Sequence, residues 1–297
     1  MNIWKKFTTC SLAGLLFLGT APSLAFADAV AGDTVVTFGA NLTTQQRDTL
    51  LKEMNVGNNV QTITVTNEEE HKYLGKYMSK ATIGTRAISS ARITIAESGK
   101  GIGVKTNNIT AITEAMYANA AITAGIKDAD IFVDAPFKVS GTAGLTGIIK
   151  AFEAVTGKKL DENQKLVANE EMVRTSEIGN LIKDPDKAAQ FMNRVKEEVA
   201  KKNPQSTEDY KNIIINVSNE FNINLNPQTI EKLVDFTKNF SSLNIDWNSI
   251  QNQLSNLRGT ISDVLNDPQT QDILHKVSGW LATVFTAIGD FFKSFSK

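Results

Sequence analysis

Strand-forming runs in this sequence are confined to its first half, and that asymmetry limits the folds open to it. Val35-Val36-Thr37-Phe38 is a short β-rich run, and Thr43-x-x-Gln46 then has the form of a capping box, with Leu50, Leu51 and Met54 on the helix face beyond it. Residues 60–65 repeat the strand signal. Asn67 with Glu68, Glu69 and Glu70 opens a second helix, where the backbone dipole favours acids, and Tyr73, Leu74, Tyr77 and Met78 line one face. Ala91, Ile93 and Ile95 alternate with polar neighbours, Glu97–Gly101 turns the chain, and Ile102 and Val104 resume the alternation, which predicts a hairpin. Asn107 or Asn108 is the expected cap of an alanine-rich helix through Ile109, Ile112 and Met116 that stops at Gly125. A strand over Asp130–Val133 and a helix ending at Gly157 complete the order β-α-β-α-β-β-α-β-α, which describes a mixed sheet with helices on it.

From about residue 160 the strand signals fade. Ser206-x-x-Asp209 starts a helix carrying Tyr210, Ile213, Ile214, Val217 and Phe221, and Asn226-Pro227 places proline at a first helical position. Breaks fall at Asp184-Pro185, Asn203-Pro204 and Asp267-Pro268. Apolar residues at 247, 250, 254, 257, 261 and 264 step by threes and fours, and the spacing resumes from 273 to 295. The expected class is therefore α+β: a mixed β-sheet with packed helices over 28–160, then an extended all-helical region over 161–297.

Residues 1–27 read as a signal peptide. Lys5 and Lys6 precede the apolar run Leu12–Leu18, which leads through Pro22 to Ala25-Phe26-Ala27, an A-x-A cleavage site. Cys10 lies before the apolar run, the wrong place for a lipid anchor, and the chain beyond residue 27 has no thiol. With no disulfide available, stability rests on burial, which 41% hydrophobic residues make feasible. Cleavage removes two lysines and no acid, so the formal charge moves from −1 to −3. A nucleic-acid binder needs clustered Lys and Arg to displace phosphate counterions, so that class is disfavoured.

Candidate chemistry is sparse. In VSGTAGLTG, Ser140 or Thr142 offers a nucleophile, or an anion-binding loop with Gly141 beside free N–H groups at a helix start. The plainer reading is that one of the two caps its helix, whose Leu145, Ile148, Ile149 and Phe152 form an ordinary core stripe. No nucleophile elbow, no S-x-x-K pair near the loop and no phosphate-binding loop is present. Gly99, Gly101 and Gly103 lead into a strand rather than a helix, the wrong context for a dinucleotide site. Glu68–His71 cannot all face one ion from a helix, and Asp128, Asp130 and Asp134 lack the glycine and closing glutamate of a calcium loop. No metal and no cofactor is expected.

The C-terminal segment is the other unusual feature. Trp280, Val284, Phe285, Ile288, Phe291, Phe292 and Phe295 form a broad aromatic-rich face opposite Lys276, Thr283, Asp290 and Lys293. Its longest uncharged run, Val277–Gly289, is 13 residues, short of the ~20 that span a bilayer. Such a face packs in the protein, meets a partner, or lies on a membrane surface.

The phrases YLGKYMSKATIGTRAISSARI, NNITAITEAMYANAAITAGIKDADIFVDAPF and VSGTAGLTGIIKAFEAVTG resemble the secreted, YpuA-like proteins of Gram-positive bacteria, the DUF1002 family. The resemblance is close from 30 to about 160 and looser beyond. It implies a Gram-positive source and an extracytoplasmic site of action at the cell envelope, and it carries no established catalytic residues.

The expectation is an exported protein that acts by binding rather than catalysis. Its partner is an envelope protein or the outer face of the cytoplasmic membrane, or its C-terminal helices self-associate. The rival is an extracellular or cell-wall hydrolase using Ser140–Thr142, with Ser89 and Ser90 and a general base among Glu114, Asp130, Asp134 and His71.

Overall fold

The computed structural model describes residues 29–57, 59–254 and 257. The predicted leader and the aromatic segment carrying Trp280, Val284, Phe285, Ile288, Phe291, Phe292 and Phe295 lie outside the described residues. Alternation in the first half yields a five-stranded mixed sheet. It comprises β1 (Thr34–Gly39), β2 (Gln61–Val65), β3 (Ser90–Ile95), β4 (Ile102–Thr106) and β5 (Ala129–Asp134), in the order β2-β1-β3-β5-β4. β1 is parallel to β2, and β4 to β5, while β3 runs antiparallel between the two pairs.

The predicted β3–β4 hairpin is not formed, because β5 lies between those strands. Ala96 N donates to Asp128 O at 2.7 Å and Ala129 N to Gly101 O at 3.1 Å, so the connecting turn is stitched to the start of β5. Ile95 and Ile102 flank Ala129 in register. The preference has a simple cause: Ile131 and Val133 are buried on one face of β5 while Phe132 packs on the other, so this strand suits the position between neighbours.

Each face has its own core. On one side, α1 (Thr44–Glu53), closed at its start by a Thr43–Gln46 capping box, sets Leu50 with Met54 against Val36, Phe38 and Ile88. On the other lie α2 (Asn67–Leu74), α4 (Glu114–Thr123) and α5 (Thr142–Thr156), packed on Val35, Ala91, Ile93, Ile131 and Val133. The second helix is shorter than its apolar face predicts. α2 ends at Gly75, and Tyr77 and Met78 reach the core from the turn before α3 (Lys80–Ile83). α4 begins later than expected, capped by Thr113, because Asn107 and Asn108 turn to Asp134 and to Ala135 O instead.

The second half is helical: α6 (Glu162–Ile182), α7 (Pro185–Lys202), α8 (Thr207–Glu220) and α9 (Pro227–Ser241), with a further helix over 247–254. Ser206 and Asn226-Pro227 start α8 and α9 as the sequence predicts, and the break at Asp184-Pro185 is the start of α7, with Asp184 as its cap. α4 joins the halves. Every position from Ala115 to Thr123 is buried, with Met116, Tyr117 and Ala120 in the sheet core and Ala118 and Ile122 in the helical core. Alanines let α6 and α7 approach it closely.

A charge pair sits at that junction. Lys196 Nζ on α7 lies 2.6 Å from Glu171 Oε1 on α6, both side chains wholly inside, and it donates to Asn119 O and Thr123 Oγ1 of α4 at 3.1 Å. Burial lowers the Lys196 pKa, and the Glu171 carboxylate opposes that shift. Glu171→Ala removes the carboxylate paired with a buried ammonium and should cost about 3–5 kcal/mol in urea unfolding, whereas Lys196→Met with Glu171→Leu should recover most of the loss. Equal destabilisation by the single and double variants would contradict this reading of the pair.

Candidate functional site

The carboxyl ends of β1, β2, β4 and β5 and the amino end of β3 share one edge of the sheet, the edge where α/β proteins usually place their ligands. The Ser140–Thr142 loop arrives there from β5. Its glycines have steric reasons. Gly141 adopts φ +96°, and a side chain on it would come within 2.5 Å of Ile109 Cγ2. A Cβ on Gly144 would lie 2.4 Å from the Tyr117 hydroxyl, and one on Gly147 would lie 2.6 Å from Thr37 Oγ1. The small residues of α5 thus form the stripe by which it settles on the sheet and on Tyr117.

Neither hydroxyl of the loop caps α5. Gly141 occupies the cap position and supplies no side-chain hydrogen bond. Thr142 Oγ1 donates instead to Glu70 Oε1 at 3.1 Å, and Glu70 Oε2 accepts from Asn67 Nδ2 at 3.1 Å. Ser140, exposed at the surface, lies with its Oγ 3.4 Å from Thr142 Oγ1. Tyr117 donates to Gly141 O at 2.5 Å and fixes the bend. The resulting line runs from an exposed hydroxyl through a nearly buried one to a buried acid.

Burial pushes the Glu70 pKa up, against the lowering effect of its bonds from Asn67 and Thr142. Burial likewise raises the Tyr117 phenol, with the Glu70 charge adding to it. A carboxylate already set against the first turn of α5 discourages a second anion there. The chemistry open to this line is proton transfer from Ser140 through Thr142, and its weak point is the length of the first step.

The other residues singled out in the sequence are dispersed or engaged. His71 Nε2 meets Gly84 O at 2.9 Å, Glu114 accepts from Thr106 N at 2.9 Å, and Asp130 pairs with Lys100 at 2.8 Å. Glu69 pairs with Lys150 at 2.7 Å. Asp134 lies opposite Ser90 in the β3–β5 register, on the face covered by α1, and burial together with the neighbouring Glu53 pushes it up to about 6. The acid beside the loop is Glu70, which none of the sequence candidates for a base anticipated. No separate sign of it stands in the sequence, since Glu70 reads there as one of three acids that suit a helix start. Among the described residues, no three His, Cys, Asp or Glu side chains converge, and no helix is long and apolar enough to cross a membrane.

Two outcomes follow from this geometry. Gly144→Ala should cost about 1–3 kcal/mol by overpacking, and adding Tyr117→Phe should return part of that loss in denaturant titrations. Because the folded pKa of Glu70 is raised, its contribution to stability declines as pH climbs above the ordinary value near 4.5. Glu70→Gln should therefore flatten the pH dependence of the melting temperature above that point, and an unchanged slope would refute the assignment.

The DUF1002 family, described as a protein of unknown function, matches residues 38–257. The uncharacterized protein YpuA of Bacillus subtilis (strain 168) is 41% identical over 290 residues, covering 97% of this chain and 100% of that protein. No solved structure gives a significant match. The family match runs from the end of β1 through the other four strands, the α5 loop and the helices to residue 257, and the chain belongs to the DUF1002 family.

Proposed function

We propose that this is an exported protein that works by binding at the cell envelope and is not an enzyme. The observation that carries the reading is the destination of the α5 loop's polar groups. Thr142 is 6% exposed and directed at Glu70, and Gly141 and Gly144 make room for Tyr117, so the stretch most like an active-site loop serves packing. The leader-like residues 1–27 support export. Attention then moves to the C-terminal segment. Ile250, Leu254 and Leu257 are buried in the helical core, and the same threes-and-fours spacing continues in the sequence to Phe295. That segment, with Trp280, Val284, Phe285, Ile288, Phe291, Phe292 and Phe295, is the proposed contact with an envelope protein or with the outer face of the membrane.

One observation favours a second reading, an extracellular or cell-wall hydrolase. Ser140 is exposed, and its hydroxyl is linked through Thr142 to Glu70, a carboxyl whose raised pKa moves it toward the range of a general base. In that reaction Ser140 would attack an acyl carbon while Glu70 took up the proton by way of Thr142 and returned it to the departing alcohol or amine, and water would then release the acyl group from Ser140.

Flotation with anionic and neutral liposomes separates the readings, comparing residues 28–297 with a chain ending at Asn266. Binding that disappears with the truncation identifies a membrane-surface protein, and envelope cross-links confined to the longer chain identify a protein partner. Equal behaviour of the two chains in both assays would count against the proposal. Turnover of ester or peptidoglycan substrates that falls at least about a hundredfold in Ser140→Ala would establish the hydrolase instead.

A further inference from the structure

On the face of the sheet opposite α5, Asp134 of β5 and Glu53 of α1 bring two carboxyl groups together at the same edge. Asp134 ends β5 and is wholly buried. Its Oδ1 accepts from Asn107 Nδ2 at 3.0 Å and from Ala135 N at 2.7 Å, which fixes the plane of the carboxyl group. Oδ2 is equally buried and receives no hydrogen bond among the described residues. Alternation along β5 sends Asp134 to the side of Phe132, the α1 side. There the carboxyl of Glu53, in the last turn of α1, comes within hydrogen-bonding reach of it.

A third oxygen completes the cluster. Ser90 stands directly across from Asp134 in the antiparallel register, so its side chain lies on the same face, 1% exposed, and its Oγ has no partner among the described residues. No ion pair neutralises either carboxylate among the described residues. Arg92, two positions along β3 on this face, donates to Met54 O at 2.5 Å and lies over the Phe132 ring.

A buried carboxylate held beside a second one is repelled by it, and either a retained proton or a bound cation relieves that repulsion. The oxygens are hard ligands, suited to calcium or magnesium rather than to softer metals. The carbonyl end of α1 adds partial negative charge to the same spot. Glu53 is exposed, which gives an ion a way in. We propose that Asp134, Glu53 and Ser90 bind a hard divalent cation, with water completing its coordination shell. Two protein carboxylates and an incomplete protein shell match weak sites, with a dissociation constant on the order of 0.1–1 mM. The site lies across the sheet from the Thr142–Glu70 contact and does not depend on the proposal of envelope binding.

Calorimetric titration and thermal unfolding of the purified full chain in millimolar CaCl2 and in millimolar MgCl2, at pH 7.5 and constant ionic strength, test the proposal. The expected result is a saturable heat and a raised melting temperature with at least one ion. Asp134→Asn and Glu53→Gln should each weaken that binding at least about tenfold. Asp130→Asn, which removes a half-buried carboxylate paired with Lys100, should leave it unchanged. Glu53 lies at the surface, so Glu53→Gln carries the test even if Asp134→Asn does not fold. Absence of any response to either ion would overturn the site. So would an undiminished response in Glu53→Gln, and the carboxyl pair would then hold only a proton.

Discussion

The Lys196–Glu171 pair buried against α4 is the contact on which the arrangement of the two halves depends. Removing two charges from water is so costly that their mutual attraction does little more than offset the desolvation, and such a pair adds little net stability. Its effect is on geometry. A shift of α6 or α7 along α4 would strand one charge or the other, and it would part the Lys196 ammonium from the Asn119 carbonyl and the Thr123 hydroxyl. Asn119 reinforces the register by donating to Ala189 O at 2.9 Å. A helix whose residues from Ala115 to Thr123 are all buried has no surface to give up, so sheet and helices share it as a common wall.

The same economy of space governs α5. Glycines at 141, 144 and 147 stand one helical turn apart and meet, in order, Ile109 with Tyr117, Tyr117 with Val133, and Thr37 with Ala91. Close approach of a helix to a sheet requires such a stripe. It also leaves the nearby hydroxyls without freedom to serve as caps, and Glu70 takes up Thr142. A sheet edge that elsewhere would hold a ligand is here largely filled by the protein's own side chains on the α5 face, while the α1 face keeps unpartnered oxygens on Asp134 and Ser90.

Local signals were the legible part of the fold. The capping boxes at Thr43 and Ser206, the proline that opens α9, the break at Asp184-Pro185 and the glycine that closes α5 depend on neighbours within a few residues, and each stands where the sequence places it. The mixed-sheet class was equally readable. Strand pairing was not, because the turn at Glu97–Gly101 has all the marks of a hairpin and nothing local shows that β5, some thirty residues on, will enter between its arms. The partner of the Ser140–Thr142 loop was hidden for the same reason: Glu70 is 72 residues from Thr142, and its three-acid run reads as an ordinary helix start. Buried lysine and glutamate in α6 and α7 were also invisible, since charged residues in a helix most often face solvent.

Membership of the DUF1002 family and 41% identity to the Bacillus subtilis protein show that this architecture belongs to a lineage and not to one chain. The proposed role, binding at the envelope, has export as its first requirement. The most direct measurement is the intact mass and cell fraction of the protein recovered from a Gram-positive host expressing the whole 297-residue chain. The account predicts a product beginning at Asp28, recovered from the envelope or the medium. A full-length product beginning at Met1 and confined to the cytoplasm would contradict it.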